Sequence, residues 1–461
     1  MWILPFSLPL LTGIVWAHVV LRSAIAVRGP MVWLLTAALG SGLGVGLASI
    51  AYFLLLNFGA ASPEAVLAVD AILFLAGALM LRRSAATPPA PAPARISAPL
   101  ALRIGLGLAL FITTVITVGS FLEFAGAIPH GNWDGWAIWN LRAKFLAGGA
   151  ETWQHALSPL NYTRSEYPLL LSGFIARCWL FTSGANPTAV PMAAALLFAL
   201  ATLTLLVAAI SLSRCATTGF TAGLILLSSS LFVSETFSQY ADIPLAFYFL
   251  GALSLIALSS RYDRHRLLLL AGLCASLAAW TKDEGIPFAL LCLLGVAAAS
   301  LPEGVRSFQT RAVAFLAGAL PVFALVAWFK LFLAPPTALF FQEGQQSRME
   351  RLTDVSRYTQ IASSFGGGIA DLGEFPYHPL LLLVLAAAGL QLRRSKSDLT
   401  ERLPLLIAGL MLLAYFGVYV LTPVDLQWHL STSTKRLLVQ LWPPFVLGAF
   451  LLLRSATEAS E

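Results

Sequence analysis

The segment His130–Lys144 reads HGNWDGWAIWNLRAK and sets one carboxylate, Asp134, between Trp133 and Trp136, with Arg142 and Lys144 following. Trp133, Trp136 and Trp139 recur every third residue, so a helix would carry them on one broad aromatic face. Three later segments again mix acids, bases and aromatic residues. Glu166-Tyr167-Pro168 opens an apolar stretch. Tyr240-Ala241-Asp242-Ile243-Pro244 has the form of a helix start, with Asp242 two residues before a proline. Trp280-Thr281-Lys282-Asp283-Glu284-Gly285 puts three charges into one tight turn, and Lys435-Arg436 lead the last apolar run. Carboxylates so placed can act as general bases, or hold a divalent cation such as Mg or Mn between Asp134 and Asp242. Lysine and arginine can take up phosphate charge. Singly, each feature also has an ordinary reading: a solvated carboxylate, a helix cap, an interfacial aromatic belt or a basic anchor.

The elements that must position these residues follow from composition. Of 461 residues 58% are hydrophobic and 11% charged, against about 45–50% and about 25% in soluble domains. That balance excludes a water-soluble enzyme. The apolar residues fall in blocks of roughly 16–28, long enough to cross a bilayer core as helices, and the alternating segments of a β-barrel are missing. The expectation is an all-α polytopic membrane protein of about thirteen spans. Cys178, Cys215, Cys274 and Cys292 have neither metal-knuckle nor disulfide-framework spacing and read as packing residues.

Most of the 28 basic residues fall in one set of loops, which the positive-inside rule makes cytoplasmic. The N-terminus is then outside and the C-terminus inside. Residues 1–86 form a three-helix extension, 87–98 a Pro/Ala linker, 99–454 the membrane body and 455–461 a cytoplasmic tail. Two outer loops are long, 123–185 and 334–377, and the second carries Gln342–Gln346 and reads as a flap. Within the first, residues 167–184 are expected to lie along the interface, with Arg177 snorkelling to the headgroups. On this map Asp134, Glu166, Asp242, Lys282, Asp283, Glu284, Lys435 and Arg436 share the outer face.

Acids at an outer interface, with lysine and arginine at helix mouths, suit a lipid-linked phosphosugar donor. The carboxylate would take the acceptor proton, the cations the departing phosphate, and the tryptophans the sugar ring. A phosphate-cradling glycine loop is absent, and nothing in the pattern points to nucleic acid.

The order of motifs resembles the GT-C glycosyltransferases, most nearly the protein-O-mannosyltransferase and aminoarabinose-transferase group of family 39. Trp133-Asp134-Gly135 is similar to the first-loop Asp motif and Glu166-Tyr167-Pro168-Leu169 to the Pro-Pro-Leu-like motif. Tyr240–Leu245 resembles the second Asp motif, and Lys435-Arg436-Leu437 with Trp442-Pro443-Pro444 the entry to a late span. The likeness covers roughly residues 99–454. It departs at Gly135, where the family often has Glu, and at Tyr167, where it often has Lys. The resemblance implies a GT-C-like bundle with interfacial helices in the first outer loop, in a bacterial inner membrane. It implies transfer of a sugar from a polyprenyl-phosphate donor to a glycan, lipid or protein acceptor on the extracytoplasmic side. Asp134, Glu166 and Asp242 would be catalytic, and Lys282, Lys435 and Arg436 would hold the donor phosphate. Trp133, Trp136, Arg142, Tyr240, Asp283 and Glu284 would bind substrate. Two alternatives stand beside it. One is a carrier or flippase for a lipid-linked or anionic solute, favoured by the mid-span Asp70. The other is an O-antigen ligase or polymerase-like enzyme, left open by Arg348, Arg351, Arg357 and His378.

Overall fold

The computed structural model describes residues 2–84, 98–158, 164–336, 347–390 and 399–453. The Pro/Ala linker, apart from Ala98, lies outside these residues, as do Gln342–Gln346 and the tail 455–461. The architecture is helical, as expected. Among the described residues nine helices are long and apolar enough to cross a membrane, or ten if α8 (Ala216–Leu227) and α9 (Ser230–Phe237) form one span broken by 66°.

The N-terminal helices are α1 (Ile3–Ala24), α2 (Pro30–Asn57) and α3 (Pro63–Arg83). Helix α3 is well delimited by local chemistry: the Ser62 hydroxyl accepts from Ala65 N, Pro63 and Glu64 start the first turn, and Arg82 and Arg83 end the last. Arg22 of α1 then donates to Leu81 O and Ser84 O, carbonyls at the end of α3 (3.2 and 2.7 Å). Helices α1 and α2 touch backbone to backbone, since a Cβ at Gly13 would overlap Gly40 O. Helix α4 (Leu100–Ala127) buries only Phe121 and Ala125, so an almost wholly apolar surface is left outside the bundle, as a lipid-facing helix requires.

The remaining apolar helices of the bundle are α7 (Ala189–Ser213), α10 (Asp242–Leu258), α11 (Arg264–Thr281), α12 (Gly285–Ser300), α13 (Val305–Phe332), α16 (Pro379–Leu390), α17 (Leu399–Leu421) and α18 (Leu426–Leu452). Shorter ones are α5 (Leu141–Ala147), α6 (Leu170–Trp179), α14 (Arg348–Thr353) and α15 (Val355–Ala370). Every residue of α10 is buried, among α7, α11, α17 and α18. Helices α10 and α16 fall among the shorter apolar helices, which is one reason the count stays below the thirteen spans expected from hydropathy. A helix wrapped on all sides by protein is as apolar as one in lipid, and its length need not match the bilayer. The extension does not stand apart: α2 packs on α6 and α7, and one hydrophobic core runs from Ala17 to Leu453.

Helix α6 corrects the expectation for Arg177. All ten of its residues are buried, and Arg177 pairs with Asp70 of α3 rather than reaching headgroups. Its second nitrogen donates to Pro5 O (2.6 Å). Pro9 has no N–H to offer that carbonyl four residues back, so Arg177 satisfies an acceptor the proline strands. At the far end of α10, Glu401 of α17 binds Arg261 (2.8 Å) and Arg214, just past the end of α7 (3.3 Å).

Candidate functional site

Two loops meet at the start of α10. Gly131, at φ +71, lies against Ser238 O, where a Cβ would not fit. Asn132 donates its backbone N–H to Ser238 O (3.2 Å) and its amide to Ser238 Oγ (2.9 Å). Gln239, itself at φ 57, donates to Pro129 O (3.2 Å). This zipper seats Asp134 beside Tyr240, whose hydroxyl accepts from Asp134 N at 3.4 Å.

Helix α18 brings the cation. Arg436 Nη1 donates to Asp134 Oδ2 at 2.5 Å, and Nη2 and Nε both donate to Asp242 Oδ2 at 2.9 and 3.1 Å. Its guanidinium lies 4.5 Å over the Tyr240 ring. One turn on, Gln440 donates to Asp242 Oδ1 (2.5 Å) and accepts from Tyr415 of α17 (2.6 Å). Lys282, at the end of α11, also donates to Asp242 Oδ1 (3.0 Å), pairs with Glu284 (2.9 Å), and lies 5.5 Å over the Tyr167 ring. Asp242 therefore accepts four hydrogen bonds, the capacity of a carboxylate. Its side chain is 0% exposed, whereas Asp134 is 20% and Arg436 16% exposed. Asp242 is the anchor of the cluster; Asp134 and Arg436 are the members that solvent and a ligand can reach.

Local electrostatics follow from burial and pairing. Burial pushes the Tyr240 hydroxyl up to about 12. Burial by itself opposes charge on Lys282, but Asp242 and Glu284 outweigh it and hold the ammonium above the ordinary lysine value. Burial also pushes Asp283 up to about 6, against the pull of Lys330. Lys330 of α13 bridges Asp283 and the Glu166 carbonyl, both at 2.5 Å.

The other expected site residues divide. Asp134, Tyr240, Asp242, Lys282, Glu284 and Arg436 converge. Glu166 presents its carbonyl to Lys330, while its carboxylate faces Arg164 at 3.6 Å. Lys435 turns away and pairs with Asp371 at 2.8 Å, both more than half exposed; one residue on a helix rotates a side chain by about 100°. Arg142 is buried and donates to four carbonyls, those of Ala156, Arg164, Ser165 and Tyr167, so it ties these segments to α5. The tryptophans do not share one face. Gly135–Asn140 is a π-helix, whose wider turn changes the phase. Trp133 and Trp136 are exposed and packed edge to face, while Trp139 is buried and stacked on Tyr167.

Reading the sequence alone missed Gln440, Tyr415, Lys330 and Glu235. Glu235, on α9, is within electrostatic reach of Asp242, Arg436, Lys282 and Asp134, and its Oε2 is buried with no hydrogen-bond partner among the described residues. Its signal was an acid at the end of an apolar run. A divalent cation does not fit between Asp134 and Asp242 as they stand, because the Arg436 guanidinium occupies that position. Among the described residues no group of three or more His, Cys, Asp or Glu could hold a metal. Compared with known protein families, curated proteins and solved structures, the chain matches none.

Proposed function

We propose that this chain is an integral-membrane glycosyltransferase of the GT-C type, moving a sugar from a polyprenyl phosphate to an acceptor hydroxyl. The observation that carries the reading is the junction at Arg436, where Asp134, Asp242 and Lys282 meet from separate segments of an apolar bundle. The polyprenyl tail would lie in lipid beside the bundle, with its phosphate at Arg436 and Lys282. Phosphate would compete with Asp134 for Arg436, so donor binding would release the carboxylate to act as a base. The acceptor oxygen then bonds to the anomeric carbon, the carbon–oxygen bond to phosphate breaks, and the proton passes to Asp134. Polyprenyl phosphate leaves as the anion, held by the two cations. Exposed Trp133 and Trp136 would wall the sugar.

The site lies at the end of α10 opposite the Arg214–Glu401–Arg261 cluster, and the positive-inside rule supports reading it as extracytoplasmic; the proposed setting is a bacterial plasma membrane. The carrier alternative looks for charges at mid-depth and repeated halves, and its clearest mid-span acid, Asp70, is paired with Arg177. Purified protein in proteoliposomes, given a panel of polyprenyl-phosphate sugars and membrane acceptors, tests the proposal. Release of polyprenyl phosphate with a labelled acceptor, lost in Arg436→Gln, supports it; label crossing the bilayer still attached to its lipid favours a flippase.

A further inference from the structure

The helices in the 334–377 loop hold a charged pair that the site above does not use. Helix α14 opens with a capping box, Ser347 Oγ accepting from Glu350 N and Glu350 Oε2 from Ser347 N. Asp354 caps α15. Helix α14 packs on α17, and α15 on α17 and α18. Each turns one arginine inward, Arg351 at 5% and Arg357 at 7% exposure.

Arg357 donates to Tyr419 O and Thr422 O at the end of α17 (3.0 and 3.2 Å). Burial, and after it the Arg351 charge, pull Arg357 below the usual arginine value, while Asp354 and Asp425 partly offset them. Those acids are engaged as helix caps, on Ser356 and Trp428. Arg351 is less well provided for. Among the described residues its Nε and Nη1 are both buried without a hydrogen-bond partner. Among the described residues, the other buried arginines each have one: Arg142 and Arg357 backbone carbonyls, Arg177 Asp70, Arg214 Glu401 and Arg311 Glu303. A guanidinium does not shed its proton, and burying its charge uncompensated is costly. The arrangement calls for an anion.

The outward face says which kind. Met349, Leu352 and Val355 recur every third residue and are exposed, Val355 at 73%. Apolar side chains outside and cations behind are the pattern of a segment seated among lipid headgroups. We propose that Arg351 and Arg357 hold the phosphate of an anionic phospholipid, with its acyl chains against Met349, Leu352 and Val355. This site is separate from Arg436 and does not rest on the glycosyltransferase reading.

The test is native mass spectrometry of the full-length protein, delipidated in neutral detergent and offered phosphatidylglycerol or phosphatidylcholine. Inorganic phosphate is tested separately by thermal shift. The expected result is retention of phosphatidylglycerol about tenfold over phosphatidylcholine, most of it lost in Arg351→Gln and kept in Arg351→Lys. Should Arg351→Gln fail to fold, the surface variant M349E/V355E is expected to fold and to lose the same preference. Equal retention by wild type and a folded Arg351→Gln would overturn the proposal. So would stabilisation by inorganic phosphate, dependent on Arg351, with no preference for the anionic lipid, since the ligand would then be a soluble anion.

Discussion

Arg436 and Asp134 are 302 residues apart in the chain and 2.5 Å apart in the fold. The same guanidinium binds Asp242 through two of its nitrogens, so one arginine joins an accessible carboxylate to a buried one. The difference in exposure separates their roles: Asp242 holds the cluster together, and Asp134 can exchange partners.

Asp134 should therefore be dispensable for folding and indispensable for transfer. Asp134→Asn leaves Arg436 anchored on Asp242 and should move the melting temperature by no more than a few degrees. Turnover in proteoliposomes should fall by about 10²–10⁴, the usual contribution of a positioned base. A near-normal rate would remove Asp134 from that role.

Asp242 should behave in the opposite way. Asp242→Asn leaves the buried Lys282 and the partly buried Arg436 with a poorer partner, and losing one member of a buried ionic cluster costs about 3–5 kcal/mol. Its detergent-solubilised form should melt well below Asp134→Asn. Equal melting temperatures for the two variants would contradict the division of roles.

The neighbours Lys435 and Arg436 should respond very differently. Lys435 pairs on the surface with Asp371, and such pairs contribute about 0–1 kcal/mol. Lys435→Ala should keep both fold and activity. Arg436→Lys keeps a charge but cannot bond Asp134 and Asp242 together through the planar fork, and should lose most activity. Assaying the two in parallel controls for a general effect of positive charge on α18.

The Arg177–Asp70 pair ties α6 to α3, and either single truncation strands a buried charge at about 3–5 kcal/mol. The double variant R177M/D70L should recover much of that loss, because both charges go together. A double-mutant cycle by thermal or denaturant melting reads the coupling; strict additivity would mean that the pair adds nothing.

Asp283 supplies a pH signature. Burial raises it to about 6, whereas an unfolded aspartate titrates near about 4. Between those values the folded protein holds more protons than the unfolded chain, so stability from this group is highest below about pH 4 and declines as pH rises through 6. Asp283→Asn removes the decline, and its melting temperature relative to wild type should climb from pH 5 to pH 7. A difference that stays constant across that range would count against a raised Asp283.

Much of this protein could be read from residue order alone. Apolar blocks predicted helices near their observed places: the expected span 99–122 is Leu100–Ala127 in the fold. Composition excluded a soluble enzyme, and residue type alone singled out Asp134, Asp242, Lys282 and Arg436. Local rules reach this far because helix formation and membrane partition depend on each segment's own side chains.

What the chain order could not supply was partnership. The run 217–235 reads as a single span, yet it breaks by 66° where Ser229 caps α9 and donates to Leu372 O, 143 residues away. Arg177 reads as a headgroup anchor until Asp70 is brought beside it, and Lys435 is indistinguishable from Arg436 until α18 takes its rotation. Gln440 carries no signal of its own and Glu235 only that of an acid ending an apolar run; their place depends on α10 starting where α9, α11 and α18 meet. A charge inside a membrane protein is stable only with a partner, and which partner is decided by the approach of distant helices, so tertiary structure alone made these residues a site.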